Sequence, residues 1–77
     1  MSDIQHLFTW VDDMRLGDEL DKHDKKFLRL FYAHMLEEQD EFEEEIPLVK
    51  SLLDLVENHD TWTTEMDHTA WTIARMK

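Results

Sequence analysis

The sequence predicts an all-α fold, a small helical bundle of three to four helices built by one acidic domain over residues 1–77. Two observations lead to this prediction. The chain contains one glycine and one proline among its 77 residues, which leaves too few turn residues for a fold of many short strands. In addition, apolar residues recur at intervals of three and four, which is the spacing of one helix face.

The first predicted helix covers residues 3–16. Ser2 or Asp3 is suited to cap its N-terminus. Gly17 is suited to end it, because glycine adopts the left-handed conformation common after the last helical turn. Its apolar face consists of Ile4, Leu7, Phe8, Val11 and Met14.

The second predicted helix begins with Asp18 as its cap and continues through Phe42 to about Glu45. Eight of the ten residues at positions 27–36 are apolar. A helix that is apolar on nearly all sides is usually buried on nearly all sides. We therefore expect this segment to be the central helix of the domain or to lie in a homodimer interface.

Pro47 suits the first position of a third helix, since proline has no backbone N–H to lose there. Residues 58–61 favour a break and a new cap before a fourth helix. An alternative is one long helix over residues 47–77, because a heptad spacing continues through the break. The stripe of the third helix is Leu48, Val49, Leu52, Leu53 and Val56, and that of the fourth is Trp62, Met66, Thr69, Ile73 and Met76.

Most of the negative charge lies in one short segment. Seven of the nine residues at positions 37–45 are acidic and none is basic, so they carry seven of the 11 net negative charges. Like charges four residues apart destabilise a helix by roughly 0.2–0.5 kcal/mol per pair. One interpretation is a solvated face, and the other is a recognition surface for an Arg/Lys-rich partner. The acidic residues are Glu37, Glu38, Asp40, Glu41, Glu43, Glu44 and Glu45.

Two His/Glu pairs have spacings found in metal sites. Glu65 and His68 form a Glu-x-x-His motif, which resembles the metal-binding helix of ferritin-like proteins over four to six residues. That resemblance implies a di-iron or di-manganese bundle, and a homodimer would have to supply the second motif, with Glu37 or Glu38 as a bridge. His34 and Glu38 are spaced as in hemerythrin-like proteins. We expect instead that both pairs are structural or solvated and that the protein binds no metal.

Trp71 lies five residues after Met66 and therefore points away from the apolar stripe of the fourth helix. Such a second apolar face favours burial against another chain. Together with the segment at positions 27–36, it predicts a homodimer. Aromatic residues are enriched at the centres of interfaces, so we include Trp71 among the expected partner-binding residues.

The composition excludes several functional classes. The chain has no cysteine, which removes disulfides, thiolate nucleophiles and Cys-based metal sites. It also has no glycine-rich phosphate loop and no patterned Ser–His–Asp set, so we expect neither an enzyme nor a cofactor. A net charge of −11 disfavours direct binding to nucleic acid or to anionic membranes.

The start of the chain has no signal-peptide pattern, and we expect a soluble, cytoplasmic protein. The sequence thus predicts an acidic interaction protein that binds a basic surface on a partner protein. Small inhibitors encoded by phages and mobile elements often have this size and charge, and a nucleic-acid mimic is a specific version. The alternatives are the ferritin-like metal-binding dimer and a plain oligomerisation module.

Overall fold

The structure, a computed structural model, describes residues 4–76, and the predicted all-α bundle is confirmed. This part of the chain contains five helices: α1 (Ile4–Asp13), α2 (Lys22–Glu37), α3 (Gln39–Phe42), α4 (Ile46–Glu57) and α5 (Thr64–Arg75). Helix α4 packs against both α2 and α5, and α1 packs mainly against α5. In residues 4–76, no helix is both long enough and apolar enough to cross a membrane.

One hydrophobic core joins the helices. Trp62, just before α5, is the largest of its fully buried side chains, and Phe42 of α3 is 1% exposed. Each of the four longer helices contributes three buried residues at helical spacing, as the apolar periodicity predicts. These are Ile4, Leu7 and Val11; Leu28, Phe31 and Met35; Val49, Leu52 and Val56; and Met66, Ala70 and Ile73.

Helix α1 ends at Asp13, three residues before the predicted end at Leu16. Gly17 has a φ of 89°, so the predicted left-handed conformation is confirmed, although it lies in the following turn. The N–H of Gly17 donates to the carbonyl of Trp62 at 2.9 Å, and the N–H of Trp62 donates to the carbonyl of Asp18 at 2.8 Å. These bonds, with a third from Leu20 N–H to Asp60 O at 2.7 Å, form what we call the loop clasp.

Helix α2 begins later than predicted, with Asp21 rather than Asp18 as its cap. The side chain of Asp21 accepts a hydrogen bond from Asp24 N–H at 2.9 Å, and the Asp24 carboxylate accepts one from Asp21 N–H at 3.1 Å. This reciprocal capping box satisfies two N–H groups that a helix start leaves without partners. The other Asp24 oxygen accepts a hydrogen bond from the Trp10 indole at 3.0 Å, which links α1 to the start of α2.

The expectation that other helices of the domain surround residues 27–36 is wrong, and the alternative that the segment lies in a homodimer interface stays a prediction. Leu28, Phe31 and Met35 are buried, whereas Leu30 is 61% exposed and Leu36 is 38% exposed. The reason is that α4 covers one face of α2, while the packing of α1 is mainly on α5. The segment is therefore buried on one face only, and an apolar edge of α2 is exposed to solvent.

The second helix also ends earlier than predicted, at Glu37 rather than near Glu45. The backbone of Glu38 leaves helical geometry, with φ −121° and ψ 47°, before the single turn of α3. Pro47 lies in the first turn of α4, as predicted, and α4 and α5 are separate helices. The alternative of one long helix over residues 47–77 is therefore wrong, because the chain breaks after Glu57 and Thr63 caps a new helix.

Candidate functional site

The acidic segment lies where α2 ends and the chain bends into α3 and the turn before α4. The side chains of six of its seven acidic residues are exposed. We call this set the acidic surface: Glu37, Glu38, Asp40, Glu41, Glu43 and Glu44. The bend at Glu38 means that these carboxylates do not form one straight row along a single helix.

Glu45, the seventh acidic residue, does not belong to the exposed set, since it is only 5% exposed. Its N–H donates to the carbonyl of Phe42 at 3.0 Å, and its own carbonyl accepts from Val49 N–H at 2.9 Å. Residues three apart in a helical turn share a face, so Glu45 follows the buried Phe42 inward. It is the N-cap residue of α4, and its side chain lies among buried residues rather than on the acidic surface.

The charges of α2 are mixed with respect to its helix dipole. Asp21 and Asp24 lie favourably at the N-terminus, which is the positive end of the dipole, beside Lys22, Lys25 and Lys26. Glu37 lies in the last turn, at the negative end, where a negative charge is unfavourable. Acidic residues at a helix C-terminus cost roughly 0.3–1 kcal/mol each. The placement of Glu37 and Glu38 is therefore not explained by the stability of α2, whereas the remaining carboxylates of the acidic surface precede the N-terminus of α4.

Arg29 and Lys25 of α2 pair with acidic residues outside the acidic surface. Arg29 forms a two-pronged pair with Glu57 of α4, with one bond of 2.7 Å from Nη2. This hydrogen-bonded pair lowers the pKa of the Glu57 carboxyl. Lys25 lies 3.8 Å from Asp60. These pairs tie α2 to α4 and to the loop after it.

Within residues 4–76, His34 is the one basic side chain at ion-pair distance from the acidic surface. Its Nε2 lies 3.4 Å from a carboxylate oxygen of Glu38, and its Nδ1 lies 4.0 Å from one of Glu37. The imidazole is 43% exposed. His34 is thus at the boundary of the acidic surface.

Trp71 is 40% exposed, in agreement with the expectation that it points away from the core stripe. Its indole N–H donates to Asp67 at 3.3 Å, and the same carboxylate oxygen accepts from the buried Trp62 at 3.4 Å. No hydrogen bond or ion pair within residues 4–76 joins Trp71 to the acidic surface. The two parts of the expected partner-binding set are therefore not linked to each other by a polar contact.

The two His/Glu pairs expected from sequence are both near the surface. Glu65 and His68 are exposed on the first turns of α5, beside an open depression that also includes His59, Thr63 and Thr64. His59 points a ring nitrogen at the carbonyl of Leu55, 2.8 Å away. Across residues 4–76, no three His, Asp or Glu side chains are grouped closely enough to hold a metal ion.

The structure shows a shallow apolar groove between α1 and α2, which the sequence pattern does not predict. It is lined by His6, Phe27, Leu30, Phe31 and His34. The sequence signal was the position of Leu30 off the main apolar face of α2. Only the folded chain shows that His6, from another helix, completes the groove.

The fold defines the class of the chain, an all-α helical bundle. No protein-family model, no curated protein and no solved structure matches it. The acidic surface and the groove are the features of the molecule that point to a function.

Proposed function

We propose that this chain is a non-enzymatic interaction protein of the cytoplasm whose acidic surface binds a basic surface on a partner protein. The supporting observation is the exposure of six carboxylates around the bend at Glu38, two of which, Glu37 and Glu38, lie at the negative end of the dipole of α2. A basic partner surface would relieve the repulsion among these like charges. Electrostatic complementarity of this kind mainly accelerates association and selects the partner.

A narrower version of the proposal is an inhibitor that imitates nucleic acid. Closely spaced carboxylates can occupy the phosphate-binding groove of a nucleic-acid-binding protein, where Lys and Arg normally contact phosphates. The bend at Glu38 divides the carboxylates between two short segments, so the match would be to a curved groove. This version requires that the chain and a DNA or RNA oligonucleotide compete for the same partner.

Capture from a lysate of the source organism tests the proposal. The bait is immobilised as the wild-type chain, as a Glu41→Gln/Glu44→Gln variant and as a matched control, Glu19→Gln/Glu65→Gln. Both variants lose two exposed glutamates, so they have the same net charge and differ only in where it was removed. We expect a basic protein that the wild type and the control retain and that the Glu41/Glu44 variant releases.

The rate of binding to the captured protein gives a second, independent measurement. Exposed charges are screened beyond about 8 Å at 0.15 M salt, so the association rate of the wild type should fall steeply as salt is added. The Glu41/Glu44 variant should associate more slowly at low salt and depend less on salt. A partner that binds all three baits equally at low salt would contradict the proposal.

A further inference from the structure

The apolar groove has an aromatic floor and one prominent exposed wall. The ring centroids of Phe27 and Phe31 are 6.0 Å apart, and Trp10 packs behind Phe27 at 5.5 Å. Leu30, at the rim, is 61% exposed, which is a large exposure for a leucine beside two aromatic rings. The groove can therefore bury one large apolar side chain from outside with little rearrangement.

The groove is continuous with the acidic surface. His34 lines one end of the groove, and the same imidazole lies 3.4 Å from Glu38. Leu30 and Glu38 are eight residues apart along α2 and its cap, which corresponds to about 12 Å at 1.5 Å per residue. A single bound segment of two to three helical turns would span both features.

We infer that the groove is the apolar anchor site for a basic amphipathic segment of the partner, an inference that rests on the proposed function. One large apolar side chain of the segment fills the groove, and its Lys or Arg residues, one or two turns away, contact the acidic surface. The occupant follows from charge complementarity, because the carboxylates beside the groove favour a cationic neighbour. A second copy of this chain would instead bring a net charge of −11 towards the carboxylates of Glu37 and Glu38 beside the groove. Amphipathic helices commonly bind grooves in this way.

Two synthetic peptides serve as probes. The first is a short fluorescein-labelled helical peptide rich in lysine with a leucine pair on one face, and the second has glutamine in place of both leucines. The two carry the same charge, so a difference in their affinities measures the contribution of the groove. Fluorescence anisotropy at low salt gives Kd for each peptide with each variant of the full chain.

Leu30→Ser tests the groove, and Leu16→Ser is its matched control. Leu16 is 63% exposed, close to the value for Leu30, but it lies in the turn after α1 and does not line the groove. We expect Leu30→Ser to weaken binding of the leucine peptide about tenfold and to leave the glutamine peptide unchanged. Leu16→Ser should change neither. Circular dichroism of both variants should match that of the wild type, because both side chains are mostly outside the core.

The outcomes separate this inference from the proposed function. If the Glu41→Gln/Glu44→Gln variant bound neither peptide and Leu30→Ser had no effect, the groove would not be the anchor site. The acidic surface would still be the binding surface for a basic partner. Equal binding by the Glu41/Glu44 variant and the wild type would contradict the proposed function itself. Sedimentation velocity tests for a second copy. A dimer that Leu30→Ser dissociates and Leu16→Ser does not would show that this chain occupies its own groove, and would overturn the inference.

Discussion

Gly17→Ala should destabilise the fold by about 1 kcal/mol, and the structure allows the physical cause to be isolated. A methyl group added at Gly17 would meet no atom within 4 Å, yet the residue has a φ of 89°. The cost is therefore conformational rather than steric crowding, and placing an L-residue in the left-handed region costs roughly 1–2 kcal/mol. Part of this is offset because alanine also restricts the unfolded chain, by about 0.4–1 kcal/mol.

Urea unfolding followed by tryptophan fluorescence and by circular dichroism measures the effect. For a domain of this size, 1 kcal/mol corresponds to a fall in Tm of roughly 4–8 °C. Gly17→Asn is the control, since asparagine tolerates the left-handed region better than alanine does, and it should lose less stability. An alanine variant as stable as the wild type would show that residue 17 does not hold a positive φ in solution, and it would refute the expected conformational cost.

Four further predictions concern other parts of the molecule. Asp24→Ala should cost about 1–2 kcal/mol in urea unfolding, because it removes the capping-box acceptor of Asp21 N–H and the acceptor of the Trp10 indole; an unchanged midpoint would contradict this. The lowered pKa of Glu57 means that its pair with Arg29 stabilises the fold above the ordinary glutamate pKa and that this contribution disappears as the pH falls. The difference in Tm between wild type and Arg29→Gln should accordingly shrink below about pH 4.5, whereas a constant difference would refute the pairing. Elemental analysis should find no stoichiometric metal; iron, manganese or zinc at one equivalent, lost in His68→Ala, would support the ferritin-like alternative. Sedimentation equilibrium at micromolar concentration should show a homodimer that Trp71→Ala weakens, and a single 9.4 kDa species would contradict the dimer.

The apolar spacing of the sequence was sufficient to predict the helices and most of the core. It did not predict the end of α2, because Phe42 continues the apolar seam of Phe31 and Met35. A straight helix would carry Phe42 about 10 Å beyond Met35. The bend at Glu38 instead returns Phe42 to the core, where it is 1% exposed. A long-range packing requirement thus overrides a regular local pattern.

The sequence predicts which segment is acidic, but it does not predict which of the acidic side chains are exposed or how they are arranged in space. Composition alone indicates that residues 37–45 are acidic, yet burial of Glu45 depends on the turn that follows Phe42. The groove could not be predicted from the sequence, because His6 and His34 are brought together only by the packing of α1 near α2. Spacing within one helix predicts which residues share a face, and contacts between helices decide whether that face is covered.

The loop clasp has a consequence for the order of folding. It joins the turn before α2 to the turn before α5, two segments separated by most of the chain. The entropy of closing so long a loop must be paid before these bonds contribute, so we expect them to form after α2 and α4 have already paired. Interactions absent from the transition state slow unfolding without accelerating folding. The loop clasp would then slow the unfolding of the completed bundle. Its strength would determine the lifetime of the native state and not the rate of folding.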